Sequence, residues 1–313
     1  MRFSVYQESH IGGRKVNQDR MGYSFTRDSL LLLLADGMGG HILGEVAATI
    51  AIQTISGYFQ NQAQPGFLSP ERFFEESFVA AHNEIQRYKT LHNLSETPRT
   101  TIVACLIQHG KAFWAHCGDS RLYWIRNGQI LLHTKDHSRI ETLISQGVVA
   151  ESLRSTHPDR NKLFNCLGAP IDPIVDTSQR VTLQSGDVIL LCSDGVWSAL
   201  PEDVICQQFR DHTIVRAVPE ILAKAVGIAG KSADNATALA MMWEGGGEDI
   251  PSISTNTLPI GLVTTTIQST ILQSEQEAIE AADGFNESDI EKAIEEIRNA
   301  IQKSSRINIK SIS

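Results

Sequence analysis

Short apolar runs that end in aspartate constrain this chain more than any other feature. Leu30-Leu31-Leu32-Leu33-Leu34-Ala35 runs into Asp36 and Gly37, and Ala112-Phe113-Trp114-Ala115-His116-Cys117-Gly118 runs into Asp119. Val188-Ile189-Leu190-Leu191-Cys192-Ser193 runs into Asp194 and Gly195. Asp234, in Lys231-Ser232-Ala233-Asp234-Asn235, stands just before the apolar stretch Ala236 to Trp243. Runs of about four to eight apolar residues bounded by turn residues read as buried strands. Any one Asp-Gly is ordinary turn chemistry, but four aspartates in the same strand-end setting can converge on one spot. Buried carboxylates without partners are costly, so a converging set calls for a cation. Oxygen-only ligands favour a hard one, such as Mg²⁺ or Mn²⁺.

Composition bounds the alternatives. The 313 residues suffice for one large domain with an appendage, or for two domains. The hydrophobic fraction of 42% with 20% charged residues suits a globular protein with a sizeable core. Of the formal net charge of −9, most lies in residues 244–313, which hold 12 acidic and 5 basic side chains, so the body is close to neutral. No basic stripe points to nucleic acid or an anionic membrane as a partner. The five cysteines are scattered without a CxxC pair and several lie inside apolar runs, which favours reduced thiols and a cytoplasmic location. The N-terminus lacks an apolar signal core, and no apolar run is long enough to span a bilayer.

The remaining pattern reads as strands grouped with strands and helices grouped in pairs, an α+β layering rather than alternating βαβ units. Short strands are expected at 3–7, 21–25 and 30–35, a helix at 44–59, and a second helix from Pro70, capped by Ser69, to Leu91. Strands at 101–108, 111–117 and 121–126 lead to an Asn127-Gly128 hairpin turn and a strand at 129–134. Residues 137–177 break the pattern, with one short helix at 139–146 closed by Gly147, and read as a flap. Strands at 180–183 and 187–192, helices near 201–210 and 213–226, and a strand at 236–243 complete the body. Beyond Gly245-Gly246-Gly247, residues 249–268 read as a Ser/Thr-rich linker, followed by helices at 270–282 and 288–302. In the last, Ile290, Ile294, Ile297 and Ile301 share one face. That face suits a protein partner, self-association, or packing back on the body.

Seven stretches, in this order, carry a resemblance. They are Gly13-Arg14-Lys15-Val16-Asn17-Gln18-Asp19, Ala35-Asp36-Gly37-Met38-Gly39-Gly40-His41, Arg99-Thr100-Thr101, Cys117-Gly118-Asp119-Ser120-Arg121, Lys135-Asp136-His137-Ser138, Leu191-Cys192-Ser193-Asp194-Gly195-Val196-Trp197 and Ala233-Asp234-Asn235-Ala236-Thr237. Together they resemble the metal-dependent (type 2C, PPM) serine/threonine protein phosphatases, bacterial branch, over nearly all of 1–243. The resemblance implies an α-β-β-α sandwich, two central antiparallel sheets flanked by helix pairs, here with a C-terminal helical extension at 244–313. It implies two Mg²⁺ or Mn²⁺ ions. Asp36 would bridge them, Gly37 would offer its carbonyl oxygen, Asp194 and Asp234 would hold the first ion, and Asp19 would face the second. Asp119 with Asp194 matches a weaker third-ion site, and Arg14 would grip the substrate phosphate.

The implied reaction is hydrolysis of phosphoserine or phosphothreonine in proteins, in bacterial signalling and opposing a serine/threonine kinase. A metal-bridged hydroxide would attack phosphorus in line with the leaving oxygen. The planar fork of Arg suits phosphate. Met38 stands where animal members carry a histidine proposed as general acid. His41 and His157 are then the candidate proton donors, set against a turn-supporting role for His41 and a surface role for His157. Arg99 replaces a small residue usual before Thr100-Thr101, a change expected to affect packing. His116, mid-strand among apolar neighbours, reads as structural. The competing function is a catalytically weak relative acting as a phosphoprotein-binding regulatory module, which the full set of acidic ligands disfavours. Another two-metal hydrolase, such as a phosphodiesterase, would bring His-rich ligands and, for nucleic acid, a basic groove.

Overall fold

The unbroken leucine run at 30–34 is explained by burial on both faces. In the computed structural model, which describes residues 1–38, 43–63, 66–67, 69–245 and 264–268, all five leucines are fully buried. Side chains alternate across a strand. Leu30, Leu32 and Leu34 enter the core between two sheets, and Leu31 and Leu33 face the helices on the other side. The same alternation divides Val188 to Cys192. Ile189 and Leu191 enter the inter-sheet core, whereas Val188, Leu190 and Cys192 pack with the second helical layer. Strands buried on both faces read as continuous apolar runs, without polar alternation.

The chain begins with β1 (Arg2–His10), β2 (Asp19–Phe25) and β3 (Ser29–Asp36), then the helices α1 (Gly44–Gln62) and α2 (Pro70–Leu91). Ser69 caps α2 by accepting from the Arg72 N–H at 3.4 Å, with Pro70 in the first turn. There follow β4 (Ile102–Gln108), β5 (Lys111–Cys117), β6 (Arg121–Arg126) and β7 (Gln129–His133), then α3 (Arg139–Ser145). The last part holds β8 (Asp176–Thr177), β9 (Val181–Thr182), β10 (Val188–Cys192), the single turn α4 (Asp194–Trp197), α5 (Glu202–Asp211), α6 (Ile214–Ala229), β11 (Ala236–Gly245) and β12 (Thr264–Gln268).

One sheet runs β1-β11-β10-β6-β7 and the other β12-β2-β3-β4-β5-β8, with β9 also on β5. The pairings of known register are antiparallel. Helix α1 lies on β2 and β3 with α2 beside it, and α6 lies on β1 and β11 beside α5. Phe74 of α2 stacks on Phe113 of β5, centroids 5.7 Å apart. This is the expected α-β-β-α sandwich. Antiparallel register is what gathers the strand ends. Asp19 at the start of β2 stands opposite Asp36 at the end of β3. Cys192 at the end of β10 pairs with Arg121 at the start of β6 and with Ala238 near the start of β11.

Three elements depart from the sequence reading. Helix α4 and strand β8 are too short to show a period, and β8 forms because its two residues find the edge of β5 at His116 and Ala115. Strand β12 lies within the stretch read as linker, where Thr264-Thr265-Thr266-Ile267 is β-branched and suits a strand. One compact unit spans Met1–Ile267. The flap is tied down at several points. Thr100 and Leu167 exchange backbone hydrogen bonds of 3.2 and 2.9 Å, Ser138 bridges Leu163, and Arg154 reaches Asp136, Glu141 and Glu151. All five cysteines are free and buried. Among the described residues no helix is long and apolar enough to cross a membrane. His41 and the 270–282 and 288–302 segments lie outside the described residues.

Candidate active site

Five aspartates meet where the strand ends gather. Asp19 and Asp119 are buried, at 4% and 7% exposure, while Asp36, Asp194 and Asp234 keep part of their surface open. Asp36 lies between Asp19 and Asp194, within hydrogen-bonding reach of both. Its carboxyl is held well above the usual carboxylate range, first by burial and then by the charges of Asp19, Asp194, Asp119 and Asp234. Burial, followed by Asp234 and Asp19, pushes Asp194 up to about 7. Asp119 is raised by burial, then by Asp194 and Asp136. Asp19 is raised by burial against the hydrogen bonds that oppose it.

Backbone and side-chain bonds fix these groups. The Asp36 carbonyl accepts from Thr101 N–H at 2.9 Å and from Thr100 Oγ1 at 2.9 Å, and the Asp36 N–H donates to Thr101 Oγ1 at 3.2 Å. Ser193 Oγ donates to Asp19 Oδ2 at 2.8 Å and accepts from Thr237 N–H at 3.0 Å. Trp197 Nε1–H donates to the Asp119 carbonyl at 2.9 Å. Asp19 Oδ1, in contrast, is buried with no hydrogen-bond partner. An orphaned carboxylate oxygen near the carboxylates of Asp36, Asp194 and Asp234 is costly as it stands, and it is the donor set a hard divalent ion takes. The residues present therefore fit the metal that the sequence implied.

Gly37 closes the turn after Asp36. A Cβ there would meet the backbone of Gly44 at 2.4 Å and the Gln18 carbonyl oxygen at 2.8 Å. Gly37→Ala must therefore push α1 or the entry to β2 aside. It is expected to lower metal-free stability by about 1–3 kcal/mol, the usual cost of overpacking. Urea unfolding in EDTA reads this directly, and an unchanged midpoint would show that the turn can yield.

Arg14 sits over the cluster. Its Nη2 donates to Asp234 Oδ2 at 2.6 Å with the side chain half exposed, and its charge also senses Asp194 and Asp36. The loop that carries it is clamped by one side chain. Asn235 Nδ2 donates to the Ile11 and Val16 carbonyls at 2.8 and 3.1 Å, and Asn235 Oδ1 accepts from the Gln18 N–H at 2.8 Å. His157 follows a 3₁₀ turn in the flap, and its Nδ1 accepts locally from the Asp159 N–H at 3.1 Å. The structure thus brings Asp19, Asp36, Gly37, Asp119, Asp194, Asp234 and Arg14 together. No hydrogen bond among the described residues joins His157 to them. Sequence reasoning missed Ser193, Thr101, Asn235 and Trp197 as supporting residues, although Ser193, Asn235 and Trp197 lie in motifs that carry an aspartate and Thr101 lies in the Arg99-Thr100-Thr101 stretch.

The layered fold and the crowded carboxylates define a phosphohydrolase of the metal-dependent kind. The profile described as Protein phosphatase 2C matches residues 6–227. The chain is 29% identical over 229 residues to the serine/threonine phosphatase stp of Listeria monocytogenes, a match that covers 72% of this chain and 90% of that one. It superposes on the Mycobacterium tuberculosis serine/threonine phosphatase PstP/Ppp with a TM-score of 0.67 and 27% identity, over 78% of this chain and 99% of that one. The catalytic domain of PstP in complex with two manganese ions has the same fold, with a TM-score of 0.65 and 24% identity over 77% and 97% of the two chains. The chain belongs to the protein phosphatase 2C family and is a protein phosphatase.

Proposed function

We propose that this phosphatase hydrolyses phosphoserine and phosphothreonine in proteins, opposing a serine/threonine kinase in the cytoplasm. The observation that carries the site assignment is the meeting of five carboxylates, one with an orphaned buried oxygen, beneath an exposed arginine. Asp36 would serve both of two Mg²⁺ or Mn²⁺ ions and Gly37 would offer its carbonyl oxygen, Asp194 and Asp234 would hold the first, Asp19 would face the second, and Asp119 with Asp194 would take a weaker third. When bound, such ions lower the pKa of a shared water and neutralise phosphoryl charge.

The chain's own residues supply position and charge. Arg14, already turned toward the cluster by Asp234, offers its remaining N–H groups to phosphoryl oxygens. Asn235 holds its loop in place. Met38 carries no transferable proton, so the donor to the leaving oxygen is proposed at His41 or at the His157 Nε2 position. Arg14→Ala is expected to lower kcat/KM by roughly 10–100-fold, the value of a hydrogen bond to a charged group, and to relieve inhibition by inorganic phosphate. Arg14→Lys should recover part of it. Steady-state kinetics with a phosphothreonine peptide decides, and unaltered KM, kcat and phosphate inhibition would remove Arg14 from the site.

The activity itself is tested by phosphate release from a phosphothreonine peptide by the full chain across a Mn²⁺ titration. Release is expected only with divalent metal. A folded chain that releases none at saturating metal would point to the phosphoprotein-binding module instead.

A further inference from the structure

Apart from the aspartate cluster, His116, His137 and Asp176 bring ligand atoms within 4.8 Å of one another. Their hydrogen bonds are wrong for a metal. The Asn165 amide is oriented by both backbone groups of Ile174, its Oδ1 accepting from the N–H at 3.0 Å and its Nδ2 donating to the carbonyl at 2.7 Å. The other hydrogen of that Nδ2 points at His137 Nδ1, 2.6 Å away, and the Gly118 N–H reaches the same nitrogen at 3.3 Å. A ring nitrogen that accepts carries no proton, so the neutral ring keeps its proton on Nε2, the atom facing Asp176 at 3.8 Å. A ligating imidazole offers an unprotonated nitrogen, and the one His137 has, Nδ1, is already taken by these two donors. His116 Nε2 is engaged as well, with the Lys135 carbonyl at 2.7 Å, and the two rings stack with centroids 4.4 Å apart.

What this arrangement does hold is the turn before Asp119. Gly118 has φ +118°, and a Cβ there would lie 2.6 Å from Thr101 Cβ, so the turn is confined to glycine. His137 grips both of its polar backbone groups. The Gly118 carbonyl accepts from the His137 N–H at 2.9 Å, and the Gly118 N–H donates to the ring. The flap holds the same histidine, through Asn165 at the same Nδ1 and through the Phe164 N–H donating to the His137 carbonyl at 3.0 Å.

We infer that His137 is a positioning residue that couples the flap to Asp119, its unprotonated Nδ1 joining Asn165 to the Gly118 backbone. This rests on the reading of Asp119 as a ligand of a weaker third ion. The test is a Mn²⁺ titration of the full chain, followed by electron paramagnetic resonance of free Mn²⁺ and by the half-activation concentration. Four variants accompany the unaltered protein. Asp119→Asn should abolish the weakest binding class. His137→Leu fills the space without an acceptor and should weaken that class about tenfold or more, the order found for outer partners of metal ligands, leaving the tight class unmoved. His137→Asn puts an oxygen near the Nδ1 position and should return affinity to within about threefold. Asn165→Ala removes one of two donors and should weaken the class several-fold, and it serves where His137→Leu fails to fold. Equal behaviour of the Leu and Asn variants, or an unchanged weak class in a folded Asn165→Ala, overturns the coupling while a lost class in Asp119→Asn keeps the third-ion reading. Absence of a weak class in the unaltered chain, or its survival in Asp119→Asn, removes that reading and the coupling with it.

Discussion

Asp36→Asn is expected to cut phosphatase turnover by roughly 10²–10³-fold or more, the order lost when one preorganised electrostatic partner is removed from a reacting centre, while leaving a folded protein. Its position makes the effect large. The end of β3 sets Asp36 opposite Asp19, and its carboxylate lies within reach of both Asp19 and Asp194. Asn has nearly the same volume, and the backbone bonds to Thr100 and Thr101 do not involve the side chain, so the turn survives. In EDTA the variant should melt no lower than the parent near pH 8, because one of several crowded charges has gone. Turnover within tenfold of the parent at saturating Mn²⁺, in a protein of normal melting behaviour, would mean that the centre of the site lies elsewhere. Asp194→Asn should act in the same direction.

How much of this was legible beforehand follows from which pairings are local. The apolar runs could be read because burial on both faces leaves an uninterrupted Leu30–Leu34 and Val188–Cys192. Asp36, Asp119, Asp194 and Asp234 could be read because each stands at the limit of such a run, whereas Asp19, set among polar residues, rested on the resemblance alone. Their meeting depends on register, Asp19 against Asp36 and Cys192 against both Arg121 and Ala238, which no local pattern contains. The supporting residues lie further out of reach. Asn235 clamps Ile11 and Val16, and Ser193 serves Asp19, across most of the chain. Each is a small polar residue that would suit a surface turn equally well. Arg99 illustrates a different limit. It was expected to matter for packing, and its carbonyl accepts the Met38 N–H at 3.0 Å while its buried Nε has no partner. Nothing in a single sequence foretells that a long cation will be half-enclosed there.

Without metal, the protein should lose stability as pH rises from 7 to 8, and Mn²⁺ should abolish that loss. An unfolded aspartate titrates near 3.9. Asp194 is pushed up to about 7, and Asp36 and Asp119 are held well above the carboxylate range, by burial and then by one another. A folded carboxyl with a raised pKa binds protons that the unfolded chain has released. Its contribution is therefore present at low pH and is lost as pH rises through the folded value. Histidines act in the opposite sense lower down. Burial, then the charge of His116, holds His137 down to about 4, and burial lowers His116, so both cost stability below about 6.5, where the unfolded chain takes up the proton. Buried thiols, such as Cys166, raised by burial to about 11, add to the decline only near and above about 8.5. Between pH 7 and 8 the carboxylate cluster is thus left as the main titrating group. Each proton held in excess by the folded state costs about 1.4 kcal/mol per pH unit, which is about 2–3 °C in Tm for a chain of this size. Metal binding takes the deprotonated form and stabilises by mass action, so the gap between Tm in Mn²⁺ and Tm in EDTA should widen from pH 6 to pH 8. Scanning calorimetry at both pH values, with Asp36→Asn beside the parent, reads all of this. A flat EDTA profile from pH 7 to 8, or a manganese shift equal at the two ends, would show that these carboxylates do not crowd one another as the strand register requires.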